Sequence, residues 1–231
     1  MQYQQKLIQS RLLRFLSLKM DKVSSKSVAI IVAHPDDEIL WAGGAILTHP
    51  FWNCFIVCLC RKNDEDRATK FYKVLKILNA TGNMGDLDDE PEQKPLSNDK
   101  VELSILDTLP QTHFDLIITH NPKGEYTRHL RHEETSKAVI SLWHDGKIST
   151  NQFWAFAYED GNKTYYPKAI ENTSMYRVLE ASVWQKKYDI ITSVYGFEKD
   201  SWEAKTTPKA ESFWRFDEAK EAYEWLEKLK K

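Results

Sequence analysis

The run Ser27-Val-Ala-Ile-Ile-Val-Ala33 constrains this chain more than any other feature. A short, continuous apolar stretch rich in β-branched residues is the pattern of a strand covered on both faces, which belongs in a parallel sheet with helices on either side. The same pattern returns at Asn53–Cys60, Phe114–Thr119 and Gln152–Ala157. Between these runs the apolar period lengthens to that of a helix. Helices are predicted over residues 39–48, over 64–79 with Phe71, Val74, Leu75 and Leu78 on one face, from Ser97 or Asn98 to Leu109, and from about residue 130 to Trp143. Strand and helix in alternation imply one α/β, Rossmann-like domain with a mainly parallel sheet flanked by helices.

Outside this frame the pattern is weaker. Residues 82–95 are acidic and rich in Gly and Pro, so a loop is expected there, with room for one short strand. Residues 1–24 read as an N-terminal helical extension and residues 160–231 as an elaboration of the main sheet. Within the latter, helices are expected over 175–188 and 218–230. Cys54, Cys58 and Cys60 have even spacing, which places all three on one face of a strand as buried hydrophobes of a reducing compartment rather than as ligands.

With 231 residues the chain can bury one substantial core, and a net charge of −2 with dispersed basic residues argues against nucleic acid as a partner. No apolar stretch has the length of a signal core or of a membrane span, so a cytoplasmic protein without membrane insertion is expected. Its oligomeric state is not encoded in any pattern we recognise.

Chemistry concentrates at two places. His34-Pro-Asp-Asp-Glu38 follows the first strand directly, and His129-Leu-Arg-His132 opens the helix after the third. Loops at the carboxyl ends of parallel strands converge, so the two clusters are expected at one edge of the sheet. Imidazole and carboxylate together suit zinc, with an open position for water, although Fe2+ or another divalent ion accepts the same donors. Paired aspartates permit a division of labour, one on the metal and one taking a proton from water. The alternative for Asp36 or Asp37 is helix capping, and Glu38 at a helix start is favoured electrostatically whether or not it reacts. His120 either lines the pocket or serves its loop. Gly43-Gly44 lacks nucleotide-binding spacing and points to close helix packing. Trp202 and Trp214 are candidates for stacking on a sugar ring, against the commoner role of core residues. Arg128 and Arg131 are candidates for an anionic substrate group, against a solvated charged loop.

Ala33-His34-Pro35-Asp36-Asp37-Glu38 and the later His129-x-x-His132, approached through Thr119-His-Asn-Pro-Lys-Gly-Glu-Tyr126, resemble the two signatures of the LmbE-like, or PIG-L, family of zinc-dependent de-N-acetylases. The resemblance covers residues 27 to about 160. It implies that His34, Asp37 and His132 bind zinc, that Asp36 is the general base, that His129 stabilises an oxyanion or donates a proton, and that Arg67 contacts substrate. The implied reaction is removal of an acetyl or other acyl group from the amine of an N-acetylated amino sugar or its conjugate. A sugar-linked amidase sharing the site, or a metal- and sugar-binding module without turnover, are the alternatives.

Two positions depart from the family pattern. Arg131 stands where relatives carry an Asp that orients the first histidine, leaving Glu125, Glu133 and Glu134 as substitute partners for His129. Tyr126 stands three residues before His129 rather than two.

Overall fold

The computed structural model describes residues 25–92 and 94–229. The N-terminal helix expected over residues 1–24 lies outside them. Seven strands make the central sheet: β1 (Lys26–Val32), β2 (Trp52–Cys60), β3 (Thr81–Leu87), β4 (Leu116–Thr119), β5 (Phe153–Phe156), β6 (Met175–Val178) and β7 (Ala210–Phe216). Their spatial order is β6-β7-β5-β4-β1-β2-β3, parallel from β5 to β3, with β7 antiparallel to both β5 and β6.

Burial of the sheet on both faces explains the unbroken apolar runs. Val28, Ile30 and Val32 of β1 join one core with helices α1 (Asp37–Thr48) and α2 (Glu65–Ile77), while Ala29 and Ile31 join the other with α3 (Asn98–Thr108), α4 (Leu130–His144) and the last helix, α6 (Ala219–Leu229). All five of these β1 residues are fully buried, and each large aliphatic side chain contributes roughly 1.5–3 kcal/mol by leaving water. The chain winds outward from β1 through β2 to β3, then crosses back to β4 on β1's other side. The crevice between β1 and β4 is therefore the point where the winding reverses, which is where ligands bind in open α/β sheets.

The acidic stretch after Thr81 begins as β3, an edge strand paired in parallel with β2, for which the expected loop left room. Two expectations need correction. Residues 175–178 form strand β6, and the helix expected from Met175 starts only at Ala181, as α5 (Ala181–Asp189). β7 supplies the pairing edge that draws Met175–Val178 into extended form, a nonlocal contact that overrides local helical spacing. Finally, Cys54 and Cys58 lie in one core and Cys60 in the other. The register with β3 shifts between Cys58 and Cys60, and such an irregularity reverses the alternation that even spacing assumes.

The last third completes the sheet and buttresses α1. A Cβ at Gly44 would stand 2.4 Å from Leu179 and 2.9 Å from the Glu211 carboxyl carbon, so close helix packing is the reason for glycine there. Glu211 accepts from the amides of Gly44 and Ala45 and from the buried Lys187, each at 2.7 Å. No helix among the described residues is long and apolar enough to cross a membrane.

Candidate metal centre

The end of β1 and the start of α1 form a corner in which the amides of His34 and Asp36 meet the carboxylates of Asp37 and Glu38. Asp36 occupies the N-cap position with φ +117°, a left-handed conformation rare for a residue with a side chain. Its carbonyl accepts from the amides of Ile39 and Leu40, yet its carboxylate makes no cap hydrogen bond. The capping alternative thus fails for the side chain, which lies 3.5 Å from the Arg67 guanidinium. Asp37 Oδ1 accepts from the Trp41 indole at 2.9 Å, and Oδ2 accepts from the His34 amide at 2.8 Å. Glu38 is fully buried, accepting from the Asp36 amide and, at 2.5 Å, from the Tyr195 hydroxyl. Burial pushes its pKa up to about 7 despite the Tyr195 bond.

The second corner follows β4. His132 Nε2 lies 3.2 Å from His34 Nδ1 and 3.3 Å from Asp37 Oδ2, while His34 Nδ1 is 3.2 Å from the same Asp37 oxygen. Three donor atoms therefore form a nearly equilateral triangle. A tetrahedral zinc with bonds of about 2.0–2.1 Å spaces its donors by about 3.3–3.4 Å, so this donor set fits a divalent ion in both chemistry and spacing. Three further groupings, His34-His129-His132, His34-Cys60-Asp89 and Asp37-His120-His132, also bring donor atoms within 4.8 Å. In the last, His120 Nε2 already accepts the Ala33 amide hydrogen at 3.0 Å, so its lone pair is engaged.

The remaining residues arrange themselves around this triangle. The His129 ring stacks on His132 at 4.3 Å between centroids and meets His34 edge-on at 4.5 Å. Burial, then the neighbouring His132 and His34, push its pKa down to about 2, so His129 rests neutral. Burial and then the adjacent Asp37 raise Asp36 well above the usual carboxylate range, against the pull of Arg67. Burial acts in the same sense on Asp37, but His132 and His120 outweigh it and hold that carboxyl well below its ordinary value. Neighbouring aspartates are thus driven apart in proton affinity.

The three glutamates considered as partners for His129 are engaged elsewhere. Glu125 meets His120 and His132, Glu133 holds Arg128 and Lys137, and Glu134 holds Arg131 and the Leu96 amide. Arg131 is buried, neither solvated nor open to an anion: besides Glu134 it donates to the carbonyls of Asp88 and Lys94. It ties Asp88 and Lys94 to α4. Next to Asp88 stands Asp89, whose Oδ1 lies 3.1 Å from His34 Nε2 and whose Oδ2 accepts two bonds from Arg61. His34 and Arg61 outweigh burial and hold the Asp89 carboxyl down at about 2.

Tyr126 packs edge-on against His129 and His132 and is itself covered by Trp202, 4.7 Å away between centroids. Trp202 is 36% exposed, and the Arg67 guanidinium rests on the Phe197 ring at 4.8 Å. Trp214 stands apart from these, lining with Trp225 and residues 121–128 a cavity of about 730 Å³. None of His34, Asp36, Asp37, His129 and His132 lines that cavity. Sequence reasoning passed over Asp89 and Tyr195 altogether; an acidic loop and a lone tyrosine carry no spacing signal.

No family model matches the chain. Over 178 residues it is 21% identical to an uncharacterized protein of Acanthamoeba polyphaga mimivirus, covering 70% of this chain and 75% of that one. Among solved structures it is similar to the N,N'-diacetylchitobiose deacetylase of Pyrococcus horikoshii, with 15% identity, a TM-score of 0.59 and 92% of each chain covered. It is similar as well to GalB, a 4-carboxy-2-hydroxymuconate hydratase of Pseudomonas putida, at 19% identity and TM-score 0.54 over 78% of this chain and 83% of that one. A deacetylase of the teicoplanin biosynthesis pathway gives 14% identity and TM-score 0.51, covering 74% and 84%. At these identities the likeness is one of fold, shared with proteins described as deacetylases and with one described as a hydratase. A hydratase on the same fold means that the reaction must be argued from the site.

Proposed function

We propose that this chain is a divalent-metal hydrolase of the LmbE-like kind, zinc-dependent, that removes an acetyl or related acyl group from the amine of an amino sugar or its conjugate. The observation that carries the reading is the triangle of His34 Nδ1, Asp37 Oδ2 and His132 Nε2, with edges of 3.2–3.3 Å, beside an aspartate whose side chain caps nothing. An ion held by these three atoms supplies Lewis acidity to water and to the amide carbonyl.

The chain's own groups do the rest. Asp36, beside the ion's ligands and braced by Arg67, takes the proton of the attacking water and returns it to the departing amine. Its raised proton affinity suits both halves of that exchange. His129, held neutral, donates a hydrogen bond to the oxygen that gains charge as the carbonyl is attacked. Arg67, and the partly exposed Trp202 beyond Tyr126, offer a hydroxylated ring a cation and an aromatic surface.

The test is release of free amine and acetate by the zinc-loaded protein from a panel of N-acetylated amino sugars, with Asp36→Asn as control. Turnover on at least one member, lost in the variant, is expected. Activity confined to larger sugar-linked amides would favour the amidase alternative. A protein that holds zinc and binds sugars without releasing amine would overturn the hydrolase reading in favour of the binding module.

A further inference from the structure

Glu125 is fully buried, and the reaction above makes no use of it. It comes from the loop between β4 and α4, turned back by Gly124 at φ +73°. One of its oxygens, Oε2, lies 2.6 Å from His132 Nδ1 and 2.9 Å from His120 Nδ1. The other, Oε1, accepts from the Asn121 amide at 2.8 Å, so the carboxylate is itself anchored.

A neutral imidazole carries one N–H and one lone pair, and an ionised carboxylate only accepts. Sharing Oε2 therefore places a hydrogen on Nδ1 of both rings and, in the neutral form that metal binding requires of His132 and the Ala33 amide favours at His120, leaves both Nε2 atoms with lone pairs. At His120 the surroundings agree: Nε2 faces the Ala33 amide, which can only donate, at 3.0 Å, nearer than Asp37 Oδ2 at 3.5 Å. His132 Nε2 faces the donor triangle with His34 and Asp37, where an ion would take its lone pair. The two rings stack at 3.9 Å, and Ser136 Oγ, one turn beyond His132, donates to the His120 carbonyl at 2.6 Å and ties helix to strand end.

We propose that Glu125 is a positioning residue that fixes the tautomer of two histidines at once, aiming His132 Nε2 at the ion and His120 Nε2 at the end of β1. The inference rests on the metal-centre reading for its consequence, since only a ligand's tautomer affects ion binding. Its own content is the placement of two protons. It also accounts for how a motif with Arg131 in place of the orienting aspartate keeps a directed imidazole: the carboxylate arrives from the preceding loop and serves the second histidine rather than the first.

The experiment is ¹⁵N–¹H correlation spectroscopy of the histidine side chains in the full chain, zinc-loaded and again after chelation. His120 and His132 should both be Nδ1–H tautomers and should stay so when zinc is removed, because the glutamate and not the ion sets them. In Glu125→Gln, His132 should lose this preference once zinc is removed, and zinc affinity measured against a competing chelator should fall roughly 10- to 100-fold. Glu125→Asp, which keeps the charge, should recover part of that loss. An Nε2–H tautomer at His132 in the chelated native protein would overturn the proposal even if no variant folds. So would a folded Glu125→Gln that binds zinc as tightly as the native chain. Neither readout requires amide hydrolysis, so absence of turnover would count against the proposed reaction without touching this inference.

Discussion

The two corners that meet at the β1–β4 crevice reach the same place by opposite means. At the first, five consecutive residues supply two of the proposed donors, the proposed base and the carboxylate of Glu38, and the corner's own amides satisfy much of what is buried. At the second, His132 is supported by residues well apart from it: Glu125 from the preceding loop, the carbonyls of Asp88 and Lys94 that Arg131 meets, and Trp202 over Tyr126. Preorganisation leans more on neighbouring amides in the first corner, which Tyr195, Arg67 and Asp89 also reach, and more on distant groups in the second. Damage to Asp36 should therefore strike chemistry and spare the fold, whereas damage to the second corner should strike stability as well.

Four outcomes break or sharpen that contrast. The largest is removal of the ion: chelation should abolish amine release, zinc should restore it, and the melting temperature should fall because the ion binds only the folded triangle. A chelated protein with unchanged turnover and melting temperature would refute the metal centre. Next, Asp36→Asn should lower kcat roughly 10²- to 10⁴-fold while zinc content stays native. Asparagine is the appropriate replacement because it tolerates φ +117° better than alanine does. Loss of zinc in this variant would mean that Asp36 is a ligand after all.

Third, Arg131→Met should cost about 3–5 kcal/mol in urea denaturation, since it leaves Glu134 buried without its cation and two carbonyls without a donor. If that variant is as stable as the native chain, the second corner does not depend on its clamp and the contrast fails. The smallest effect has the opposite sign. Asp36→Gly should lose turnover yet gain about 1 kcal/mol of stability, because glycine relieves a strain of roughly 1–3 kcal/mol less its own entropic cost. A destabilised Asp36→Gly would show that the aspartate serves the fold rather than the reaction.

The contrast also separates what could be read from residues in order. Ala33 to Glu38 was legible because every participant is contiguous and follows a run that can only be a buried strand. His132 was legible through its spacing from His129. Arg131 was not, since an arginine in a charged stretch reads as solvated until the carbonyls it meets are known, and they lie 37 and 43 residues away. Cys60 was misplaced by counting in twos through a register shift that depends on the neighbouring strand. Met175 to Val178 were misread as helix because their extended form is imposed by β7, over thirty residues later in the chain.

By itself the sequence determined the layered α/β architecture, the strand ends at which polar residues gather and the types of donor available there. These follow from periodicity and side-chain chemistry, which are properties of neighbours in the chain. Only the tertiary structure decided which donors share a triangle, which carboxylate each imidazole meets and whether Asp36 caps its helix. Those outcomes turn on distances of about 3 Å between residues far apart in sequence, and hydrogen bonding at that range is fixed by packing that no local pattern encodes.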